Sequence, residues 1–401
     1  MECHTEPISS REDLARLANH LNTRKTIAFD TEFIREKTFF PMLEIIQIAT
    51  EEDSWLIDAQ PYRRLMDKSI DDSPLQPILA VLADPDILKI VHAAQGDQEC
   101  LYASFGVVAA PILDTSIAAA LCGYGESIGL GNLLKAVLNV AIKKGHARTD
   151  WSARPLPRQL IHYAHEDVIH LVELGSALLE ELDQRNRREW AVDLSNQWDE
   201  AQFEPNPEAL VRRLAKNGRI NPKNYPILLE LVRWREERVR QLNLPRRWLA
   251  ADEILINLAE VRPKDLEHLK AFRGLSKNEI NRRGEEILKI IDNAEKSQGV
   301  VMPDFQHPTP PSLSESRAVE LLRCYVGILA ASHKIASAHL VDPGFYLDIL
   351  RQAPKTMEDL VKNRFLTPYG AKLIGDEIIA FLQGQRALAV QNSALQVIKL
   401  P

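Results

Sequence analysis

The chain has 401 residues and a formal net charge of −7, and 45% of its residues are hydrophobic while 26% are charged. These values are typical of a soluble globular protein with two or three domains. No apolar run approaches the length of a membrane span, and the N-terminal residues are charged where a signal peptide needs an apolar segment. The four cysteines form neither a CxxC pair nor a zinc-ligand pattern. The sequence therefore predicts a cytoplasmic protein with reduced cysteines and no membrane association.

The charge is distributed unevenly along the chain. Residues 1–200 contain 19 Lys and Arg against 32 Asp and Glu, whereas residues 201–300 contain 20 against 15. An acidic half is unusual for a protein that binds nucleic acid, unless cations neutralise part of its charge. The basic residues 201–300 could bind a phosphate backbone or simply form a solvated surface, and the composition leaves both possibilities open.

The first 200 residues alternate short apolar segments with helical patterns. Four apolar segments bounded by polar or turn residues predict strands over residues 26–30, 43–50, 54–59 and 87–94. Helical spacing predicts helices over residues 74–84, 98–106 and 115–125, and one long amphipathic helix over residues 156–182. Strands that alternate with helices are typical of an α/β domain.

After about residue 200 the strand signals disappear. Residues 204–210 are typical of a linker, and the Pro- and Ser-rich residues 302–316 mark a second boundary. Helices are predicted over residues 224–245, 252–260, 262–272, 277–291, 317–335, 357–365 and 369–384. The sequence therefore predicts three domains, which comprise residues 1–204, 205–300 and 301–401.

Four carboxylates in three separated segments are the strongest functional signal. Asp30 and Glu32 lie two residues apart in an apolar run, so on a strand both side chains point to one face. Asp97 begins a helix after a predicted strand, and Asp167 lies within the long predicted helix. Carboxylates gathered in one cleft repel each other unless bound cations neutralise them. Oxygen ligands suit Mg²⁺ or Mn²⁺, and two such ions about 4 Å apart can bind the attacking and leaving oxygens of a phosphodiester. The pattern therefore indicates a nuclease.

Three motifs surround these carboxylates in the order found in a known family. FDTEF, then HAAQGDQECL with LDTSIAAALCG, then RTDWSARPL with YAHED are similar to the motifs of ribonuclease D, a family of DEDD-type 3′→5′ exoribonucleases. The resemblance spans nearly the whole chain. It implies a ribonuclease-H-like α/β domain, with a mixed sheet flanked by helices, followed by two small all-α HRDC-type domains (helicase and ribonuclease D C-terminal). It also implies that Asp30, Glu32, Asp97 and Asp167 hold two divalent metal ions, Mg²⁺ or Mn²⁺, with no nucleotide cofactor.

The resemblance also implies an activity and a substrate. The expected reaction is hydrolysis of RNA from the 3′ end, by a two-metal-ion mechanism that releases nucleoside 5′-monophosphates. The implied partners are the 3′ ends of tRNA precursors and other structured RNAs. Two alternatives stay open: a 3′→5′ exonuclease for DNA repair or proofreading, since a sensor of the 2′-hydroxyl cannot be read from the sequence, and a catalytically inactive RNA-binding protein. No GxxxxGK[ST] phosphate loop occurs, which argues against a helicase.

Two neighbouring residues compete for the role of positioning the attacking water. Tyr163 precedes Asp167 by four residues, so the two share one helix face. A phenol has a pKa near 10 and is a poor base, so we expect Tyr163 to orient a water rather than deprotonate it. His162 precedes Asp167 by five residues, which matches the sister DEDD group that uses histidine, and an imidazole is a natural base near neutral pH. Spacing and the surrounding sequence favour Tyr163, and His162 remains the alternative.

The substrate-binding candidates lie in two places. Thr31 and Phe33 flank the first acidic pair and are expected to hold the terminal nucleotide by backbone contact and by stacking, with an ordinary core position as the alternative for Phe33. In the basic residues 201–300, arginines interleave with tryptophans, a combination that suits contact with RNA phosphates and bases, and Arg246 and Arg247 are the predicted contacts. For Asp114, in the LDT segment, a helix N-cap is favoured, and support of the metal ligands from behind is the alternative.

Overall fold

The computed structural model describes residues 2–63, 72–142, 149–198, 200–204, 206–215, 220–297, 302 and 309–400. The predicted domain boundaries at residues 205 and 300–301 lie outside the described residues, as do residues 303–308 of the Pro- and Ser-rich segment. Within the described residues, no helix is both long enough and apolar enough to cross a lipid bilayer.

One mixed sheet organises the N-terminal domain. Its strands, in chain order, are β1 (Glu2–Ile8), β2 (Thr26–Ile34), β3 (Met42–Ala49), β4 (Asp53–Asp58), β5 (Leu88–Val91) and β6 (Ile112–Asp114). Their order across the sheet is β1-β4-β3-β2-β5-β6. Strand β3 runs antiparallel to both β2 and β4, while the pairs β1–β4, β2–β5 and β5–β6 are parallel. The predicted mixed sheet is confirmed, and β1 and β6 are additions that the sequence pattern did not predict.

Helices cover both faces of this sheet. They are α1 (Arg11–Leu21), α2 (Gln76–Ala83), α3 (Gln95–Phe105), α4 (Thr115–Cys122), α5 (Leu130–Leu138), α6 (Arg158–Glu166), α7 (Leu171–Gln184), α8 (Arg188–Ser195) and α9 (Glu200–Phe203), with a 3₁₀ turn at Gln60–Tyr62. Successive residues of β2 serve the two faces, because side chains alternate along a strand. Ile27 and Phe29 join a core with α1, α2 and α3, whereas Ala28 joins a core with α4 and α7.

The long helix predicted over residues 156–182 is in fact two helices. Helix α6 ends at Glu166, Asp167 follows as its C-cap residue with φ −72° and ψ −21°, and α7 begins at Leu171. At the break, the N–H of Val168 donates to the carbonyl of His165, three residues earlier, so the helix tightens into a turn. The prediction that Asp167 lies within a helix is therefore wrong by one residue, although its relation to Tyr163 is helical, since the Asp167 N–H donates to the Tyr163 carbonyl at 3.2 Å.

The C-terminal half forms two groups of helices. The first comprises α10 (Pro207–Ala215), a 3₁₀ turn at Pro222–Asn224, α11 (Tyr225–Leu242), α12 (Arg246–Leu249), α13 (Asp252–Val261), α14 (Leu266–Lys270) and α15 (Lys277–Lys296), and it has a hydrophobic core of its own. The second comprises α16 (Leu313–His333), α17 (Ser337–Leu340), α18 (Tyr346–Gln352), α19 (Met357–Lys362) and α20 (Pro368–Leu382). It ends in a hairpin of β7 (Arg386–Gln391) and β8 (Ala394–Lys399), which corrects the expectation that this region is entirely helical.

Candidate active site

The first pair of acidic residues lies on the central part of the sheet. Asp30 and Glu32 are two residues apart on β2, and they lie opposite Gln47 and Ile45 of β3. Because strand residues of equal parity share a face, both carboxylates project from the same side. Asp167, at the end of α6, meets them there, and carboxylate oxygens of these three residues all lie within 4.8 Å of one another. The structure thus brings together residues that are more than 130 positions apart in the sequence.

Asp97, in the first turn of α3, lies near enough to these carboxylates for its charge to raise the pKa of Asp30 and of Glu32. It is only 5% exposed, and the Thr31 hydroxyl donates a hydrogen bond to its Oδ1 atom at 2.5 Å. The turn before α3 is held by Asp114, whose two carboxylate oxygens accept the N–H groups of Ala93 and Ala94, each at 2.9 Å. Asp114 also accepts the Ser116 N–H at the start of α4, which confirms the predicted N-cap. The hydrogen bonds from Ala93 and Ala94 hold the turn before the helix that carries Asp97, which agrees with the alternative that Asp114 supports the metal ligands.

The four carboxylates are strongly destabilised in their charged forms. Burial, and then the charges of Asp97, Asp167 and Glu32, hold the pKa of Asp30 well above its ordinary value. Burial, and then the charges of Asp167 and Asp97, raise the pKa of Glu32 to about 8. Burial also raises the pKa of Asp97 and of Asp167 to about 7. Mutual repulsion of this kind is relieved when cations bind, so the cleft has the electrostatics of a cation site.

The chemistry of the donors fits divalent metal ions. The ligand atoms are carboxylate oxygens, which Mg²⁺ and Mn²⁺ prefer over nitrogen or sulfur. Gln47, opposite Asp30 on β3, is fully buried, and within the described residues neither its amide oxygen nor its amide nitrogen has a hydrogen-bond partner. A buried amide needs a polar partner, and a hydrated cation bound at Asp30 would provide one. Gln47 is a residue that the sequence reasoning missed, because a single Gln in an apolar strand carries no pattern.

Tyr163 and His162 point in different directions. The Tyr163 hydroxyl hydrogen-bonds to the Asp167 carboxylate, and burial, followed by the charges of Asp167 and Glu32, raises the pKa of Tyr163. Behind it, the ring of the buried Trp151 lies 6.2 Å from the Tyr163 ring. The His162 side chain is 69% exposed, and its Nε2 atom lies 3.3 Å from Glu166. The structure therefore brings Tyr163, and not His162, to the carboxylates.

The residues that flank the acidic pair lie beside the cleft but are already engaged. The Thr31 hydroxyl is occupied by Asp97. The Phe33 ring is half-buried and packs over the start of α3, where a Cβ atom on Gly96 would lie 3.3 Å from its Cζ atom. Gly96 therefore allows the Phe33 ring to approach α3 closely.

The predicted arginine contacts have different surroundings. Arg246 forms a bidentate ion pair with Glu236, with N–O distances of 2.6–2.9 Å. Its guanidinium lies 4.9 Å from the centre of the Phe39 ring. Arg247 is exposed and forms no ion pair with any described residue. Next to it, 56% of Trp248 is exposed, a large value for this residue type. Arg247 and Trp248 therefore offer a cation and an aromatic face to solvent, whereas the half-buried Arg246 is already paired with Glu236.

Comparison with known proteins agrees with this arrangement. Residues 5–183 match the family model described as 3′-5′ exonuclease, and residues 226–291 match the model of the HRDC domain. The chain is 31% identical over 393 residues to a ribonuclease D of Gluconacetobacter diazotrophicus, and the match covers 98% of this chain and 96% of that relative. A ribonuclease D of Acidiphilium cryptum is 31% identical over 401 residues, which cover 98% of this chain and 97% of the relative. The chain belongs to the ribonuclease D family.

The fold agrees with the family. The crystal structure of Escherichia coli RNase D, described as an exoribonuclease involved in structured RNA processing, matches with a TM-score of 0.74 and 25% identity, over 94% of this chain and 99% of that chain. The predicted family, fold class and 3′→5′ exoribonuclease activity of the chain are thereby confirmed. In this ribonuclease D family member, the HRDC match lies within the first helical group. The assignment of the second helical group to the same class remains a prediction.

Proposed function

We propose that this exoribonuclease shortens structured RNAs from the 3′ end, with tRNA precursors among its substrates, and releases nucleoside 5′-monophosphates. The observation that carries the proposal is the cluster of the Asp30, Glu32 and Asp167 carboxylates, to which Asp97 lies close enough for its charge to raise the pKa of Asp30 and of Glu32. Burial raises the pKa of all four carboxylates, which a structural role alone does not account for. The structured-RNA substrate is supported by what is described for the Escherichia coli relative, and tRNA is implied by the family resemblance.

Asp30, Glu32, Asp97 and Asp167 would hold two divalent cations, Mg²⁺ or Mn²⁺. When bound, the cations would supply Lewis-acid chemistry, which makes a water nucleophilic and neutralises charge on the phosphate. The carboxylates themselves fix the position of this chemistry, because β2, α3 and α6 each deliver their acidic residue to one cleft. Thr31 keeps Asp97 oriented through its hydroxyl hydrogen bond.

Tyr163 is the residue that we assign to positioning the attacking water. Its raised pKa keeps the hydroxyl protonated at neutral pH, so it acts as a hydrogen-bonding group and not as a base. Its hydrogen bond to Asp167 fixes the hydroxyl at the edge of the acidic cluster. The outward direction of the His162 side chain supports this choice over the histidine alternative.

RNA contacts are proposed at the cleft and on the first helical group. Thr31 and Phe33 border the cleft and would contact the terminal nucleotide through backbone and ring. Farther along the strand of RNA, the exposed Arg247 would contact a phosphate, with Trp248 available for stacking on a base. Arg246 contributes indirectly, because its guanidinium is already bound to Glu236.

We assign the enzyme to the cytoplasm and divide it into an exonuclease domain (1–204) and two helical domains (205–300 and 301–401). Four unpaired thiols, on Cys3, Cys100, Cys122 and Cys324, support a reducing compartment. The separate hydrophobic core of the first helical group supports the first division. The second helical group shares a core with the exonuclease domain, so its separation rests on the Pro- and Ser-rich segment.

A direct test uses a tRNA with a 3′ extension, wild-type enzyme and the Asp30→Asn variant, each with Mn²⁺ and with EDTA. With Mn²⁺, the wild type should shorten the extension and release nucleoside 5′-monophosphates, and Asp30→Asn should be slower by about a hundred-fold or more. Equal trimming by the two proteins would contradict the proposed site.

A matched DNA strand separates the alternatives. Faster turnover of the RNA supports an exoribonuclease, whereas faster turnover of the DNA would make the enzyme a DNA exonuclease. Binding of RNA without any turnover, with or without metal, would instead indicate an inactive RNA-binding protein.

A further inference from the structure

A short segment between two strands of the sheet contacts the first helical group. Residues 35–41, here called the strap, join β2, which carries Asp30 and Glu32, to β3. At the start of the strap, Arg35 forms a bidentate ion pair with Glu99 of α3, with N–O distances of 2.5 and 2.6 Å. The strap is therefore attached directly to the helix that delivers Asp97.

The middle of the strap is attached to the helical group by one side chain. The Asn243 Oδ1 atom accepts hydrogen bonds from the backbone N–H groups of Phe39 and Phe40, both at 3.0 Å. The Asn243 Nδ2 atom donates to the sulfur of Met42, the first residue of β3, at 3.3 Å. Asn243 is the C-cap residue of α11, with φ 49° and ψ 49°, a left-handed conformation that Asn tolerates better than most residues. The Asn243 side chain is therefore fixed relative to α11. It hydrogen-bonds both to the end of the strap and to the first residue of β3.

Two arginines reinforce the same junction. The guanidinium groups of Arg240 and Arg246 lie 5.6 and 4.9 Å from the centre of the Phe39 ring, within the range of cation–π attraction. The Phe39 ring packs against the core of the first helical group. The exposed Arg247 and Trp248 follow Arg246 immediately on α12, so the face offered to RNA adjoins this junction.

The geometry of β2 explains why the strap matters for the active site. The pairing of β2 with β3 is regular through Glu32, and its register shifts between Glu32 and Phe33. Glu32 therefore lies in the last pair before the register shift, after which only Phe33 and Ile34 pair with β3 before the strap begins. A regular ladder fixes a side chain by itself, whereas beside a shift its position also depends on the segment that follows.

We propose that Asn243 is a positioning residue, which acts through the strap to hold Glu32 and Asp97 in the geometry required for catalysis. This inference rests on the proposed function of the carboxylate cleft. Because rates of oriented reactions depend steeply on small displacements, loss of the Asn243 hydrogen bonds should lower kcat and leave KM little changed.

The test compares Asn243→Gly with Asn243→Asp. Both residues tolerate the left-handed backbone, but only Asp keeps an oxygen that can accept the two N–H groups of the strap. Steady-state kinetics would be measured with Mn²⁺ on the 3′-extended tRNA and on a short unstructured oligoribonucleotide, with thermal unfolding as a check on the fold. Asn243→Gly should lower kcat by about ten-fold or more on both RNAs, with KM within about two-fold of wild type, and Asn243→Asp should restore kcat.

Two results would overturn the inference. One is an unchanged kcat in Asn243→Gly. The other is an increase in KM confined to the tRNA, which would mean that Asn243 only docks the helical group and its RNA-binding face. Either result leaves the proposed function standing as long as the wild type trims RNA, whereas an inactive wild type would count against the function itself.

Discussion

At the scale of single residues, the acidic cleft depends on the different directions in which adjacent side chains of one helix point. Tyr163 and His162 are adjacent, yet successive helix positions are about 100° apart, so only one of them shares the face of Asp167. The spacing of four already favoured Tyr163 in the sequence. The orientation of His162 toward Glu166 required the three-dimensional contact.

Replacing Tyr163 should separate its role from that of His162. Tyr163→Phe keeps the ring packed near Trp151 but removes the hydroxyl that hydrogen-bonds to Asp167. We expect kcat on RNA to fall by about ten- to a hundred-fold, while His162→Ala stays within about two-fold of wild type. Single-turnover rates at saturating Mn²⁺ would measure both variants. A larger loss in His162→Ala than in Tyr163→Phe would reverse the assignment.

At the scale of elements, close packing of α7 on the sheet supports the strand next to β2. Gly175 of α7 lies over Ile90 of β5, and a Cβ atom at Gly175 would lie only 2.8–2.9 Å from three atoms of the Ile90 side chain. Such distances are too short for real contacts, so α7 can approach β5 this closely only with glycine at this position.

Two glycine substitutions test this packing against helix propensity alone. Gly175→Ala should lower the free energy of unfolding by about 1–3 kcal/mol, because overpacking outweighs the gain in helix propensity. Gly327→Ala, in the middle of α16 with nothing near its added Cβ atom, should raise it by about 0.5–1 kcal/mol. Urea denaturation of both variants provides the comparison. Stabilisation by both substitutions would contradict the close approach of α7 to β5.

The elements show what could be predicted from the sequence and what could not. Strands β2 to β5 have apolar segments bounded by turns, and periodicity alone located them. Strand β1 (ECHTEPI) is largely polar and lies at the sheet edge, where exposed side chains leave no alternating pattern. The break after α6 contains neither Gly nor Pro, and it is seen in the backbone hydrogen bonds from Val168 to His165 and from Leu171 to Val168.

At the scale of the whole molecule, the helical groups dock onto the exonuclease domain in different ways. The second group shares a hydrophobic core with α4, α7 and α8, and the buried Arg187 donates to the carbonyls of Leu121 and His333, at 2.6 and 2.7 Å. The first group keeps its own core and contacts the catalytic domain through Asn243 and the strap. Contacts between residues so far apart in the chain leave no local pattern. The sequence motifs therefore identified the carboxylates and the arginine–tryptophan segment, while Gln47 and Asn243 emerged only from the structure.

The most direct measurement of the central claim is isothermal titration of Mn²⁺ into the wild type and Asp30→Asn, at about pH 6 and about pH 8. Carboxylates whose pKa values are raised to about 7 and 8 hold protons at the lower pH, and these protons compete with the metal. The wild type should therefore bind Mn²⁺ at the higher pH, with affinity about ten-fold or more weaker at the lower pH, and Asp30→Asn should lose most of the binding. An affinity that is the same at both pH values, or that survives in Asp30→Asn, would contradict the assignment of the four carboxylates to a metal site.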